Sequence, residues 1–400
     1  MHAGRRILAV VPAVLSLLVS ARARADDPAA APQKKLHYRV DVVEYTNVGF
    51  FGRDINDKGQ LALTGLSATT PFVGIARLWD PKDGFVTLAP GPSYATGINN
   101  HGDVTVIRQQ EPDIRFLSSL WTRRDGLIDL GTIGRQTWAQ AVNDDRVVVG
   151  WTEKDNPQRD RYAFRWTQTG GLQTLPDLPG GQIQGDARAI TPDGLIVGYS
   201  YGVNGQEAVR WTDAGVQGLG DLPGGRFESA AFAANNKGQI VGVGHVAGDG
   251  SDYDQDGNPD SFSRAFLWTP DNGMTNLGAL HPGDDSIATG INDDGTITGW
   301  SVHHPGGTSI EFTAVIWTPD GAIIDLQQLL DERSQGWRLG AMQAGAINDS
   351  GQILLEAERD GQYAIVTLTP HNPEPGTLLI AATAGVLFSH RPRRANKPRP

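Results

Sequence analysis

Apolar and polar residues alternate with a period of two in short runs. Each run is closed by Gly, Asn, Asp or Pro, the pattern of half-buried strands joined by tight turns. One combination recurs seven times: small residues, an Asn-Asp-x-Gly type turn, then a short apolar run. It reads Ile55-Asn56-Asp57-Lys58-Gly59, Ile98-Asn99-Asn100-His101-Gly102, Val142-Asn143-Asp144-Asp145, Ile190-Thr191-Pro192-Asp193-Gly194, Ala234-Asn235-Asn236-Lys237-Gly238, Ile291-Asn292-Asp293-Asp294-Gly295 and Ile347-Asn348-Asp349-Ser350-Gly351. Successive phrases lie 43, 44, 48, 44, 57 and 56 residues apart. That is the length of one four-stranded unit, with insertions late in the chain.

Each unit resolves into four strands. The first ends at the Asn of the phrase, and the positions two and four before that Asn are nearly always Ala or Gly, as in Ala139 and Ala141 or Ala288 and Gly290. Small residues at period two are expected to share one strand face where space is scarce, such as the inner edge of a propeller wedge. The second strand follows the turn, whose closing Gly supplies a left-handed conformation. The third ends in Trp79, Trp121, Trp166, Trp211, Trp268 or Trp317, and the fourth in Leu, for example Leu130, Leu175 and Leu219. One Trp per unit at a fixed strand position reads as packing between blades rather than as a ring of sugar platforms.

The last unit runs out of chain before a fourth strand, while His37 to Val43 alternates like a strand and has no unit of its own. Joining the two predicts an all-β fold over residues 37–370. It is a single seven-bladed β-propeller of four antiparallel strands per blade, whose last blade the N-terminal strand completes and so hides two open edges.

The ends add sorting chemistry. Arg5 and Arg6, an apolar run from Ile7 to Val19, and Ala23-Arg24-Ala25 make residues 1–25 a secretory signal peptide cleaved after the small residues Ala23 and Ala25. Residues 26–36 then read as a linker. Residues 371–400 hold Pro373-Glu374-Pro375-Gly376, an apolar stretch from Thr377 to Phe388, and a basic tail. This arrangement resembles the PEP-CTERM sorting signal of Gram-negative envelope proteins. The resemblance implies processing by an exosortase and display at the outer surface or in the extracellular matrix. Twelve apolar residues flanked by positive charge suit a transient membrane contact. Removing residues 1–25 and 376–400 would take nine of the 34 basic residues and none of the 45 acidic ones, leaving a balance of −20. Such a surface disfavours nucleic acid and favours cations.

Within the repeats, Ala163-Phe164-Arg165-Trp166, Leu175-Pro176-Asp177-Leu178-Pro179-Gly180-Gly181 and Ile190 to Tyr199 resemble the HAF repeats of bacterial extracellular proteins. That resemblance implies location and fold rather than an activity. The third phrase departs from it, with Arg146 where the others have Gly, and the seventh unit lacks its Trp.

Short uniform turns on one face of the disc make that face structural, and the variable connections collect opposite. They include the Leu-Pro-Gly-Gly loops at Gly180 and Gly224, the loop with His303 and His304, the connection with Trp337, and the insertion after Gly242. In that insertion Asp252, Asp254, Asp256, Asn258 and Asp260 alternate around Gly257 in the ligand order of a calcium loop, although Ser263 stands where a bidentate Glu is usual. His303-His304 reads as a solvated pair, since two ligands do not make a metal site. No residue is marked as catalytic. The leading functional class is a non-enzymatic binder of an envelope polysaccharide or protein through the variable face, with calcium ordering one loop. A carboxylate-based glycan hydrolase or lyase on that face, and a structural envelope protein, are the alternatives.

Overall fold

A computed structural model describes residues 36–46, 51–66, 73–110, 115–247, 261–303, 310–340 and 345–371. The signal peptide with Ala23 and Ala25, the acidic loop Asp252 to Asp260, His304, and the sorting motif Pro373, Glu374 and Pro375 lie outside the described residues. Among those described, no helix is long and apolar enough to cross a membrane.

Seven antiparallel sheets form the ring of a seven-bladed β-propeller. Blades 1 to 6 occupy residues 51–87, 93–129, 136–174, 186–218, 230–278 and 285–325, each with four strands in chain order from the axis outward. Blade 7 is closed as the sequence predicts. His37–Thr46 pairs with Gln362–His371, which pairs with Ile353–Arg359, and the short strands Ala346–Ile347 and Arg338–Leu339 lie inside that.

The inner strands are built differently from the expectation. Ala139 pairs with Gly150 and Ala141 with Val149, so Gln140 bulges between them. The same slip occurs at Arg53, Thr96, Arg188, Phe232 and Thr289. A bulge reverses the facing of whatever follows it. The two small residues therefore pack on opposite sides: Ala187 against blade 3 with Val149 and Ala163, and Ala189 against blade 5 with Ala231 and Ile240. The bulge also draws the inner strand's backbone onto its neighbour. A Cβ on Gly150 would stand 2.1 Å from the Trp138 carbonyl oxygen, which is why glycine follows the apolar pair there.

The repeated Trp residues fill the wedges. Trp166 packs with Leu120 and Leu130 of the preceding blade, and the indoles of Trp211 and Trp317 donate to the Pro176 and Leu277 carbonyls one blade back, at 2.8 and 3.1 Å. In blade 7, Leu368 takes the Trp position opposite Ile353. Trp337, in the connection from blade 6 to blade 7, lies under Arg359 of the loop-side hairpin. It is 4% exposed in a core shared with Tyr38, Ile316 and Leu326.

The phrase itself joins the blades. Asn56 accepts from the Lys58 and Gln60 amides through Oδ1, and its Nδ2 donates to the Asn99 carbonyl of the next blade at 2.8 Å. Asn99 reaches Asn143 (3.0 Å), Asn143 reaches Thr191 (3.4 Å), Asn235 reaches Asn292 (3.0 Å), Asn292 reaches Asn348 (3.4 Å), and Asn348 returns to Asn56 (2.9 Å). Each of these Asn residues is at most 5% exposed. A second, outer chain links Asn236, Asp293, Asp349, Asp57, Asn100 and Asp144 through backbone N–H to side-chain oxygen bonds of 2.7–2.9 Å. Pro192 interrupts it, having neither an N–H nor an acceptor side chain. Arg146 replaces the missing turn Gly by adopting φ 60°, and its guanidinium pairs with Asp103 of blade 2 at 2.8 Å.

Replacing Asn99 with Ala is expected to cost roughly 2–4 kcal/mol, because it deletes two donors and an acceptor within a buried turn. Thr191→Ala, at the position where the Asn ladder is already broken, is expected to cost less than half as much. Urea unfolding of both variants checks the difference, and equal losses would contradict the ladder.

Candidate functional site

The channel along the axis has two unlike ends. At the turn side the outer chain gathers Asp57, Asp144, Asp293 and Asp349 with Asn100 and Asn236. Most of these polar groups serve a neighbouring blade. Burial pushes the Asp349 carboxyl up, and the nearby charges of Asp57, Asp293 and Asp294 push the same way. This end is the ring's fastening.

Towards the loop side the channel opens into a cavity of about 470 Å³, within the range of small-ligand sites. The bulged residues Arg53, Thr96, Gln140, Arg188, Phe232 and Thr289 line it, with Trp300. The bulge recurs, but the side chain it presents changes from blade to blade. The cavity is therefore asymmetric inside a regular scaffold.

Aromatic rings cluster at the loop-side ends of blades 2 and 3. Tyr94 meets Phe116 at 6.4 Å, Phe116 meets Trp138 at 5.2 Å, and Trp138 stacks on Trp151 at 5.9 Å with the planes 4° apart. The Arg161 guanidinium lies 4.1 Å from the Trp151 ring centroid. Arg188 lies over Tyr199 and Phe232 at 5.4 and 5.2 Å, while its Nε stands 3.1 Å from Asp186. Farther round, Trp300 meets Phe312 at 5.3 Å. Cation–π contacts of this kind hold guanidiniums flat against rings. Asp186 is 1% exposed. Burial raises its carboxyl above the usual range, while Arg188, Arg161 and a hydrogen bond from Gln140 act in the opposite direction.

The Leu-Pro-Gly-Gly loops lie beside this rim: Gly180 bridges to Gly202 and Gly224 to Val246. His303 is bonded through Nδ1 to the buried Asp284 at 2.6 Å and touches the His281 ring edge-on. Its partner is thus a carboxylate of its own blade's edge. Ser263 is a strand residue opposite His245, and its amide donates to Asp285 at 2.7 Å. Among the described residues no three His, Cys, Asp or Glu side chains converge to hold a metal. The expected calcium ligands Asp252, Asp254, Asp256, Asn258 and Asp260 fall outside those residues.

Sequence reasoning missed the bulged residues, Arg161 and Asp54. The signal for the first was present: the position between the two small residues is the one that varies freely from unit to unit. Asp54 occupies a small-residue position held elsewhere by Gly97, Ala141, Ala189, Ala233, Gly290 and Ala346. Its carboxylate accepts from the Ile98 and Ile55 amides at 2.9 Å each, yet burial pushes its carboxyl up to about 6.

No protein-family model matches this chain, and no curated protein matches it. Solved structures similar to it include a puromycin hydrolase, with TM-score 0.50 and 15% identity over 80% of this chain and 52% of that one. TolB from Acinetobacter baumannii has TM-score 0.43 and 14% identity over 66% of this chain and 62% of that one. Virginiamycin B lyase from Staphylococcus aureus has TM-score 0.35 and 13% identity over 84% and 99%. This chain spans 52% and 62% of the length of the first two. At such identities the likeness to the puromycin hydrolase shows the propeller fold alone.

A raised carboxyl pKa means that the native state holds the Asp54 proton more tightly than the unfolded chain does. The stabilisation it gives is complete below about pH 4 and is lost as pH rises through about 6. Asp54→Asn keeps an amide acceptor and removes the charge. Relative to the native protein it is expected to gain roughly 1–3 kcal/mol between pH 4 and 7. Denaturant unfolding at the two pH values measures this, and a pH-independent difference would contradict it.

Proposed function

We propose that this chain is an exported, surface-displayed propeller that binds a glycan in the loop-side mouth of its channel, without catalysing a reaction on it. The observation that carries the reading is a cavity lined by Phe232 and Trp300, together with a cluster of rings, Tyr94, Phe116, Trp138 and Trp151, at the loop-side ends of blades 2 and 3. Half-buried rings such as Phe232 and Trp300, lining a cavity with a few convergent polar groups, suit sugars, which carry an apolar face and a hydroxyl rim. Gln140, Thr96 and Thr289 supply the polar groups at the bulges.

Binding is favoured over hydrolysis by the state of the carboxylates there: Asp54, which lines the cavity, spends one oxygen on the Ile55 amide and the other on the Ile98 amide. Asp186 is enclosed and flanked by Arg188 and Arg161, so it orients guanidiniums and presents no face to a substrate. Glycosidases place two carboxyls on either side of the scissile bond, and Asp186 does not offer one of them.

Export and calcium binding complete the reading and rest on the sequence. Residues 1–25 supply the signal peptide, residues 371–400 the sorting segment read by an exosortase-type enzyme, and Asp252, Asp254, Asp256, Asn258 and Asp260 the oxygen ligands of a calcium ion.

In glycan-array and calorimetric assays with envelope polysaccharide, Trp138→Ala and Phe232→Ala are each expected to weaken binding about tenfold, or about 1.4 kcal/mol. Lys58→Ala on the turn face should bind as the native protein does. Equal binding by all three variants would move the site elsewhere. The secreted protein is expected to have an intact mass that begins at Asp26 and a thermal midpoint that rises with millimolar calcium and falls back with chelator. A retained residues 1–25, or a calcium-independent melt, would overturn the corresponding part.

A further inference from the structure

Arg161 and Arg188, both close to Asp186, each have a buried Nε without a hydrogen-bond partner, although that of Arg188 stands 3.1 Å from the Asp186 carboxylate. Arg161 opens the third strand of blade 3, Arg161–Thr167, and its backbone is pinned on both sides. Its amide donates to the Ile183 carbonyl at 3.0 Å, and its carbonyl accepts from Gly185 at 2.8 Å. Its side chain forms the top layer of a stack with Trp151 and Trp138. Its buried Nε has no hydrogen-bond partner, and among the described residues its guanidinium fork meets no acceptor. A cation held flat by an aromatic ring, with its N–H groups unspent, is prepared for an anion.

Arg188 is the bulged residue of blade 4, so it enters the channel cavity. Asp186 fixes it from one side, and Tyr199 and Phe232 flank it. Oδ1 of Asp186 is itself buried without a hydrogen-bond partner. Around Arg161 and Arg188 stand Asp186 and Glu153, the latter opposite Arg161 across the strands, while Arg53 and Asp54 line the cavity beside them, so the site is a cluster of mixed charge. The hydroxyls of a neutral sugar would accept from the Arg161 fork one at a time and without charge. A planar carboxylate would accept it in a bidentate pair.

Building on the glycan reading, we propose that the mouth selects acidic sugars, with a uronate carboxylate bound by Arg161 and Arg188 and its ring against Trp138 and Phe232. Specificity then comes from charge and fork geometry, while the rings supply contact area that neutral glycans also use. The net negative charge of the mature protein disfavours lengthwise contact with a polyuronate. The mouth therefore selects chain ends or exposed single residues over lengthwise adsorption.

Calorimetry on the full mature protein decides it, with oligomers of galacturonate and of mannuronate titrated beside the same oligomers after reduction of their carboxyls to primary alcohols. At least one acidic oligomer is expected to bind at least tenfold more tightly than its reduced counterpart, with the advantage shrinking as salt rises. Arg161→Gln should abolish that advantage and leave the weaker neutral binding in place, and Arg161→Lys should restore part of it. Equal binding of every acidic oligomer and its reduced form would overturn the uronate assignment while leaving the glycan reading intact. Failure of all forms to bind, together with a blank glycan array, would overturn both. The comparison of ligands needs no variant, so a poorly folding Arg161 substitution does not affect the outcome.

Discussion

A closed ring of blades has to be fastened at every seam, and in this protein one buried Asn side chain in each of six blades does most of that work. The amide has a fixed inventory of two N–H donors and one oxygen. The oxygen is consumed by its own turn, one donor reaches a side chain at the turn's end, as in Asn56 to Gln60, and the other crosses to the next blade. A buried amide with every group engaged is held to one geometry, because each lost partner carries a desolvation cost. The same side chain therefore sets the hairpin and the angle between blades. The bond from Asn348 to Asn56 is the ladder's closing rung. There Glu44 of the N-terminal strand, bonded twice to Arg77 of blade 1, adds a charged tie.

That constraint divides the labour between the two ends of the channel. The turn side is occupied by its own fastening, since the carboxylates that converge there accept backbone amides from neighbouring blades. The loop side is free of this duty. The bulge that lets Ala187 and Ala189 face opposite neighbours also turns the intervening Arg188 into the channel. A packing device thus provides a variable position in each inner strand, and variation there alters the cavity without altering the ring. The fastening is weakest between blades 4 and 5, where Thr191 cannot donate as Asn does and Pro192 breaks the outer chain. Buried contacts among Val197, Ala208, Ala231 and Ile240 hold that seam instead.

The blade count, the four strands per blade and the joining of the N-terminal strand to the last blade were legible because each depends on local spacing. Two-residue alternation and turn chemistry act within about ten residues. What was illegible depends on pairs far apart in the chain. Small residues at Ala139 and Ala141 look like one strand face until the bulge at Gln140 is known, and a bulge is a property of two strands together. Arg146 looks like a defect in a turn until Asp103, one blade earlier, is seen to receive it. The stack of Arg161, Trp151 and Trp138 joins three strands of one blade at a rim that no single stretch of sequence describes. Trp337 read as a variable-loop residue because the connection that carries it is long, yet it serves the core that Tyr38 completes.

Amide hydrogen exchange, resolved by residue, tests the ring closure most directly. The backbone N–H groups of Asp57, Asn100, Asn236, Asp293 and Asp349 sit in turns near the surface, where they would ordinarily exchange fast, but each is bonded to the next blade's side chain. They are expected to exchange as slowly as the inner strands, whereas the amide of Asp144, which faces Pro192 across its seam, exchanges rapidly. Fast exchange at all six turns would contradict the claim that this ladder holds the seven blades together.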